Sequence, residues 1–209
     1  MRRSARFNYE QHCEIRNGPA SEHLKYRGCP IPGSPATLYV ATLQVESAMQ
    51  GDTGIIDILN RLLTGELTAV DQYLIHGEIY RHLGLNRLAD MSLHESDHER
   101  QHARALIQRI LFLNGTPDLG RRDPLNVGRT VPDMLQADLN LEYHVADELR
   151  QAITACEKAK DYVTRDILLV QLDDTEMDHA YWLEQHMELI RLVGLENYQQ
   201  SQMDASSPT

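Results

Sequence analysis

Apolar side chains recur every three or four residues in four separate segments of the chain, which is the spacing of one face of an α-helix. These segments begin near Ile55, Leu88, Leu135 and Leu168. Segments of about 25 to 30 residues form rods of roughly 40 Å at 1.5 Å per residue. The pattern predicts an all-α protein built as a four-helix bundle, with a short fifth helix over residues 195–203.

Glycine and proline divide the chain into three parts. Four prolines fall within the first 35 residues, and the next one is Pro117. A second cluster of glycine and proline spans residues 115–132, whereas residues 133–193 contain neither. The cluster predicts a long crossover between helices 2 and 3, and the uninterrupted stretch predicts two helices joined by a short turn at 157–161.

Residues 1–48 are interpreted as an N-terminal extension. Three early arginines precede the first acidic residue, Glu10, but no apolar stretch follows, which excludes a secretory signal and leaves only a weak import signal. The extension is either flexible, a docking arm for a partner, or an artefact of an upstream start site, because Met49 opens a sequence that reads as a complete domain. Residues 204–209 are expected to be a disordered tail.

The chain carries 31 acidic and 20 basic side chains, and its formal net charge is -11. A negative field repels phosphate backbones and anionic lipids, so we expect no nucleic-acid or membrane partner, whereas cations are attracted. No uncharged apolar run approaches the ~20 residues of a membrane span. The three cysteines, Cys13, Cys29 and Cys156, form no CxxC pair, which favours a reducing compartment and a cytoplasmic location.

Glutamate occurs on each of the four apolar faces, at Glu66, Glu99, Glu142 and Glu176. An unpaired buried carboxylate costs several kcal/mol, and four close together repel one another. The inward faces contain no lysine or arginine to compensate this charge. Cations are therefore the expected partners.

Two of these glutamates have a histidine on the same helix face, in Glu99-x-x-His102 and Glu176-x-x-His179. Four carboxylates and two neutral imidazoles carry four negative charges, which two divalent ions would neutralise. A single glutamate precedes each pair, by 33 residues in the first half and 34 in the second, so the pattern has an internal two-fold symmetry. One glutamate from each of two helices and Glu-x-x-His from the other two is the ligand set of ferritin-like di-iron proteins.

The segment from Met49 to Met203 resembles bacterioferritin, a member of the ferritin-like superfamily. The resemblance rests on these motifs: Met49-Gln-Gly-Asp-Thr, Leu63-Thr-Gly-Glu66-Leu, Asp71-Gln-Tyr73, His94-Glu-Ser, Arg109-Ile-Leu-Phe-Leu-Asn-Gly, Trp182-Leu-Glu and Gly194-Leu-Glu-Asn-Tyr. It implies a ferritin-like di-iron domain over 49–203, in a cage of twenty-four chains that encloses a ferric mineral.

The resemblance also implies a role for each site residue. Glu66 and Glu142 would be terminal iron ligands, Glu99 and Glu176 would bridge the two ions, and His102 and His179 would each hold one iron. Tyr73 and Trp182 match family aromatics near the centre, where they are either electron donors or ordinary core packing.

Three departures from the family pattern are visible. The methionine that binds haem b in the family is replaced by Arg100, and a guanidinium has no lone pair for iron, so haem from this chain is not expected. Such a haem-free subunit would assemble with itself or with a haem-binding subunit. A family aspartate is replaced by His98. The sequence therefore does not decide whether His94 and His98 form an inner-surface iron site. The extra residue before Glu176 requires a looser turn or a helical bulge.

The expected function is iron storage and detoxification, through ferroxidase oxidation of Fe(II) by dioxygen or peroxide. A ferredoxin is a candidate partner for iron release. One alternative is a structural, haem-diluting subunit, which predicts an incomplete metal site. Another is a different di-iron oxidase or peroxidase, which would need an apolar substrate pocket. The ligand types suit iron and manganese and also admit zinc, so iron is inferred from the resemblance. Four further histidines are interpreted as surface or interface side chains: His76, His82, His144 and His186.

Overall fold

A computed structural model of the chain describes residues 51–203, and all regular structure in this range is helical. The expectations for residues 1–48 and 204–209 lie outside the described residues. The elements are α1 (Thr53–His82), α2 (Asn86–Phe112), α3 (Val131–Ala159), α4 (Tyr162–Asp174), a π-helical turn (Thr175–Ala180), α5 (Tyr181–Val193) and α6 (Leu195–Gln202). The all-α four-helix bundle is confirmed, with α4, the π-helical turn and α5 forming the fourth rod and α6 the short last helix.

Side-chain caps fix where the helices begin. Asp52 accepts a hydrogen bond from the Gly54 amide at 2.7 Å at the start of α1. Thr130 and Asp133 form a reciprocal capping box at the start of α3. Each cap satisfies amide groups that have no partner within their own helix, so the crossover and the turns end at defined positions.

The order of the rods follows from their connections. A short turn after α1 makes α2 antiparallel to it, and the Gly51 amide donates to the Leu113 carbonyl at 3.1 Å, next to the start of α1. The chain then crosses the length of the bundle before α3 begins, so α3 runs parallel to α2 and antiparallel to α1. A tight turn with Lys160 at a φ of 58° returns the chain into the fourth rod.

Polar side chains spaced along α1 hold the crossover. Asn60, Thr68, Gln72 and His76 are separated by multiples of four residues and therefore form an inclined row that winds along α1. They accept hydrogen bonds from the amides of Asp118 (2.8 Å), Asp123 (2.9 Å), Asn126 (3.1 Å) and Gly128 (3.2 Å), respectively. An irregular segment of this length needs partners for its backbone, and α1 supplies them.

The interpretation of His76 as a surface side chain is wrong. His76 is fully buried, and its Nδ1 lies 2.9 Å from the carboxylate of Asp138 on α3. Because Nε2 accepts from the Gly128 amide, Nδ1 carries the proton and donates it to Asp138. One histidine thus links α1, α3 and the crossover.

Two apolar clusters fill the ends of the bundle. One lies at the start of α1 and the end of α2, and includes Leu59, Leu63, Leu106, Leu149 and Leu168. The other lies at the end of α1 and the start of α2, and includes Tyr80, Leu88, Leu135, Leu183 and Tyr198. Buried polar and charged side chains occupy the layer between these clusters. None of the helices in the described part of the chain combines the length and apolar character that crossing a membrane requires.

Replacing Asp161 with alanine tests the cap of the fourth rod. Asp161 accepts hydrogen bonds from the Thr164 amide at 3.1 Å and from Arg109 Nη2 at 2.8 Å. We expect Asp161→Ala to lower the free energy of unfolding by about 1–2 kcal/mol near neutral pH. Asp166→Ala, an exposed acid on the same helix, should change it by less than about 0.5 kcal/mol.

The pH dependence of this effect has a defined sign. Burial opposes ionisation of Asp161, but the bonds from Thr164 and Arg109 prevail and lower its pKa. The stabilisation is therefore present above the unfolded pKa of about 3.9 and is lost as the pH falls through the lower folded pKa. Denaturant unfolding of both variants at neutral and acidic pH measures this, and a loss that stays constant into acid would contradict it.

Candidate metal centre

Five of the six predicted ligands lie together in the polar layer between the two apolar clusters. Glu66 comes from α1, Glu99 and His102 from α2, Glu142 from α3 and His179 from the π-helical turn, and all five are buried. Helical periodicity explains the convergence of the four ligands from α1, α2 and α3, because each of them continues the apolar face of its own helix.

The five side chains form two groups that share Glu99. His102 Nδ1 lies 3.0 Å from Glu99 Oε2 and 3.8 Å from Glu66 Oε2. His179 Nδ1 lies 3.0 Å from Glu99 Oε1 and 3.5 Å from Glu142 Oε2. Each oxygen of Glu99 therefore faces a different histidine, and each group offers two carboxylates and one imidazole to a cation.

Several atoms of this cluster have no hydrogen-bond partner. They are both carboxylate oxygens of Glu66, Oε2 of Glu142 and Nδ1 of His179. Leaving a buried acceptor unsatisfied costs about 1–3 kcal/mol, and more for a charged group. The potential ligand atoms of each group lie within 4.8 Å of one another. Carboxylate oxygen with imidazole nitrogen fits divalent first-row metal ions, so the residues present fit a pair of such ions.

The protonation of the cluster reflects its burial and its crowded negative charge. Burial, followed by repulsion from Glu99, raises the pKa of Glu66 well above its ordinary value. Burial likewise raises the pKa of Glu142 to about 7. For Glu99 burial acts in the same direction, but the imidazoles of His102 and His179 beside its two oxygens prevail and lower its pKa.

The two histidines compensate part of this charge. Burial disfavours their charged forms, but the neighbouring carboxylates raise the pKa of both His102 and His179. Without cations, protons therefore neutralise much of the cluster. Metal ligands must be deprotonated, so cation binding displaces these protons.

Two further carboxylates lie behind the histidines. His102 Nε2 is 3.2 Å from Asp174 Oδ2, and His179 Nε2 is 2.9 Å from Glu95 Oε2. A carboxylate on the remote nitrogen of a metal-binding histidine orients the ring and makes it more basic. No local pattern in the sequence indicated Asp174 in this position.

The predicted inward position of Glu176 is wrong. Its side chain is 41% exposed and its Oε1 accepts a hydrogen bond from Arg150 Nη2 at 2.7 Å. The cause is the π-helical turn, which begins at Thr175 and includes both Glu176 and His179. A π-helix has a wider turn than an α-helix, so residues i and i+3 no longer share a face. The expected helical bulge is present, and it directs His179 inward and Glu176 outward.

The two predicted aromatic residues have different surroundings. The hydroxyl of Tyr73 is buried and donates to Glu142 Oε1 at 2.5 Å. Burial, together with the charge of Glu142, raises the pKa of Tyr73, so the phenol keeps its proton. Trp182 packs against the second apolar cluster and stacks on His186, with ring centroids 3.9 Å apart. Tyr73 thus contacts the cluster directly, whereas the contacts of Trp182 are those of core packing.

Comparison with known proteins agrees with this geometry. A family profile described as a ferritin-like domain matches residues 56–193. A bacterial ferritin of Pseudomonas aeruginosa is 56% identical over 155 residues, which cover 74% of this chain and 100% of that protein. A bacterial ferritin of Synechocystis sp. is 52% identical over 155 residues, covering 74% of this chain and 99% of the relative. A bacterioferritin of Mycolicibacterium paratuberculosis is 39% identical over 150 residues, which cover 72% of this chain and 94% of that protein.

The chain belongs to the bacterioferritin family. Arg100, which the sequence resemblance predicts in place of a haem methionine, has a side chain that is 61% exposed. Its Nη1 donates to Asp97 Oδ1 at 2.6 Å, on the same helix. The charged head is therefore held beside an acid on the outside of α2.

Replacing Glu66 with glutamine tests the cost of the buried charge in this bacterioferritin chain. Because the folded pKa of Glu66 is raised, its ionisation destabilises the metal-free fold increasingly as the pH rises above its unfolded value. We expect Glu66→Gln to raise the free energy of unfolding of metal-free protein at pH 8 by on the order of 1 kcal/mol. The same variant should lose most of the stabilisation that added divalent cations give to the wild type.

Glu78→Gln is the matched control, because Glu78 is an exposed glutamate on the same helix. It should leave both quantities within about 0.5 kcal/mol of the wild type. Thermal or denaturant unfolding with and without cations measures both effects. A Glu66→Gln protein that is less stable than the wild type when metal-free would contradict the electrostatic interpretation.

Proposed function

We propose that the protein stores iron, and that it oxidises Fe(II) at the buried cluster before the product joins a ferric mineral inside a cage of twenty-four chains. The observation that carries this proposal is the pair of ligand groups joined by Glu99, with buried carboxylate oxygens that no protein donor satisfies. Relatives named bacterial ferritin and bacterioferritin support the same function.

In this proposal Fe(II) is the substrate. Glu66 and His102 hold one ion, Glu142 and His179 hold the other, and Glu99 bridges them through its two oxygens. Two adjacent Fe(II) ions each lose one electron to become Fe(III). Dioxygen that takes up both electrons and two protons becomes hydrogen peroxide, whereas hydrogen peroxide that does so becomes two molecules of water. The protein would hold both ions side by side in a site shielded by apolar layers, which suits a two-electron step.

Tyr73 is a candidate electron donor to this reaction. It is the aromatic side chain whose hydroxyl bonds directly to a proposed ligand, Glu142. A phenol that loses an electron becomes strongly acidic, and Glu142 is positioned to receive its proton. The hydrogen bond also orients Glu142, so the same contact serves a structural role.

Glu176 is proposed as a sixth ligand that joins only when cations bind. Its ion pair with Arg150 is solvent-exposed and contributes about 0–1 kcal/mol, which cation binding can offset. A rotation within the π-helical turn would be required to bring its carboxylate inward. Asp174, which already lies beside His102, competes with Glu176 for this role.

Assembly is supported by apolar side chains that this chain leaves exposed. A group of them surrounds the junction of α5 and α6, namely Leu189, Leu192, Val193 and Leu195. Several exposed apolar side chains grouped near one junction are typical of protein interfaces. The partner chains are further copies of this chain or a haem-binding bacterioferritin subunit, since Arg100 offers no lone pair to haem b. We further propose that the protein is cytoplasmic and that a ferredoxin donates the electrons that release stored iron.

The alternative functions fit the cluster less well. A purely structural subunit predicts an incomplete metal site, and Glu176 does lie outside the cluster. Such a subunit, however, has no need of the buried unpaired carboxylates among the other five predicted ligands. An oxygenase acting on an organic substrate would require an apolar pocket at the metal ions. Fully buried side chains, among them Leu63, Leu106 and Tyr73, instead fill the bundle around the cluster.

Rapid mixing of metal-free protein with two Fe(II) per chain in aerated buffer tests the proposed reaction. Absorbance of the Fe(III) product should rise quickly in the wild type. We expect Glu99→Ala to lower the initial rate by about a hundredfold, because it removes a ligand of both ions. Asp97→Ala, an exposed acid two residues earlier on α2, should retain the wild-type rate.

The same measurement on Glu176→Ala and Asp174→Ala decides between the two candidate sixth ligands. A slower rate in Glu176→Ala alone supports its entry into the site, whereas an unchanged rate excludes it. Equal rates for wild type and Glu99→Ala would overturn the ferroxidase proposal.

A further inference from the structure

Glu176 forms an ion pair with a residue of the neighbouring rod. Its Oε1 accepts a hydrogen bond from Arg150 Nη2 at 2.7 Å, and the side chains of Glu176 and Arg150 are 41% and 54% exposed. Arg150 lies on α3, eight residues after the buried Glu142, which is about 12 Å along the helix. Arg150 is thus too far along the rod to take part in the cluster, and the acid that it binds is the sixth predicted ligand.

Electrostatics explains why Glu176 lies outside the metal-free cluster. Glu66, Glu99 and Glu142 already lie within it, where burial and mutual repulsion raise the pKa of Glu66 and Glu142. A fourth buried carboxylate would add to this repulsion, whereas outside the cluster it gains the attraction of a guanidinium. Both effects favour the outward position.

Divalent cations reverse the charge of the cluster in two steps. With neutral histidines, its three carboxylates and one divalent ion carry one net negative charge, whereas a second divalent ion leaves one net positive charge. A fourth carboxylate is therefore still repelled when one ion is bound, and it is attracted when both are bound. The electrostatic reason for Glu176 to leave Arg150 arises only with the second ion.

The π-helical turn supplies a route for this movement. A π-helical turn is wider than an α-helical one, and the turn over Thr175–Ala180 contains Glu176. If the extra residue shifts toward α4, Glu176 and His179 return to α-helical spacing, in which residues i and i+3 share a face. The hydroxyl of Thr175 already donates to the Gln171 carbonyl at 2.8 Å, so this carbonyl keeps a donor while the backbone bonds of the turn rearrange.

We propose that Arg150 is a positioning residue that holds Glu176 outside the cluster until the second divalent cation binds. This inference rests on the proposed function, because it takes Glu176 as a ligand that joins with the cations. An exposed ion pair is weak, so the binding of one cation is sufficient to release Glu176. The ligand set is therefore completed only around the pair of ions that a two-electron oxidation requires.

Calorimetric titration of the metal-free, full-length protein with Co(II) tests the proposal. Because Arg150→Gln removes the partner that holds Glu176 outside, we expect it to bind the second Co(II) about two- to fivefold more tightly than the wild type. Arg150→Lys, which keeps the charge, should restore most of the wild-type affinity. Arg104→Gln is the matched control, because Arg104 is an exposed arginine on α2 and its loss removes the same charge. Affinity for the first Co(II) should be equal in Arg150→Gln and Arg104→Gln.

Glu176→Ala separates the ion pair from the general effect of charge. In this background Arg150→Gln should tighten binding of the second Co(II) no more than Arg104→Gln does, because no carboxylate remains to be released. The visible spectrum of the second Co(II) should differ between Glu176→Ala and the wild type, since the ion has lost an oxygen ligand. High salt should reduce the effect of Arg150→Gln, because an exposed ion pair is screened.

Three results would overturn the proposal while leaving the dinuclear centre intact. The first is equal affinity of Arg150→Gln and Arg104→Gln for the second Co(II). The second is an effect of Arg150→Gln that has the same size with and without Glu176. The third is a Co(II) spectrum that Glu176→Ala leaves unchanged. Failure of the wild type to bind two Co(II) per chain would instead contradict the proposed function, and this inference with it.

Discussion

Mutual repulsion among buried carboxylates is the constraint on which the rest of this structure depends. Glu66, Glu99 and Glu142 lie in one layer of the bundle, where burial strongly disfavours three negative charges. Only His102 and His179 offset them from within the cluster, and the elevated pKa values of Glu66 and Glu142 show that protons supply the remainder. Such a cluster lowers the free energy of unfolding of the metal-free protein. In return, the buried carboxylates form a site that favours cations over water.

The surrounding fold holds these charges close together. Apolar clusters above and below the layer supply the packing that opposes the repulsion. The crossover is held to α1 by a row of polar side chains ending at His76, which also bonds to Asp138 on α3. Asp174 and Glu95 lie behind the two histidines and orient their rings. The cluster is therefore part of a polar layer whose members come from every rod.

The glycine and proline cluster predicted the crossover, and the π-helical turn produces the inward position of His179. Periodicity predicted the rods and the other four ligands, because each of these residues continues an α-helical face. It failed at Glu176, where the chain leaves α-helical geometry for one π-helical turn. The spacings of 33 and 34 residues revealed an extra residue, but the place where a helix absorbs it depends on packing against neighbouring rods. His76 and Asp174 were missed for a related reason. Their roles arise from partners distant in sequence, Asp138 and His102, which no local pattern specifies.

Proton release during anaerobic Fe(II) binding tests most directly whether cations replace protons at the buried carboxylates. Calorimetric titration of the metal-free protein in buffers of different ionisation enthalpy gives both the number of ions bound and the protons released. We expect saturation at two high-affinity Fe(II) per chain. More protons should be released per ion below pH 7 than above it, because Glu142, with a pKa of about 7, is then mostly protonated before binding. Binding heats that do not depend on the buffer, or proton release that does not depend on pH, would contradict this exchange.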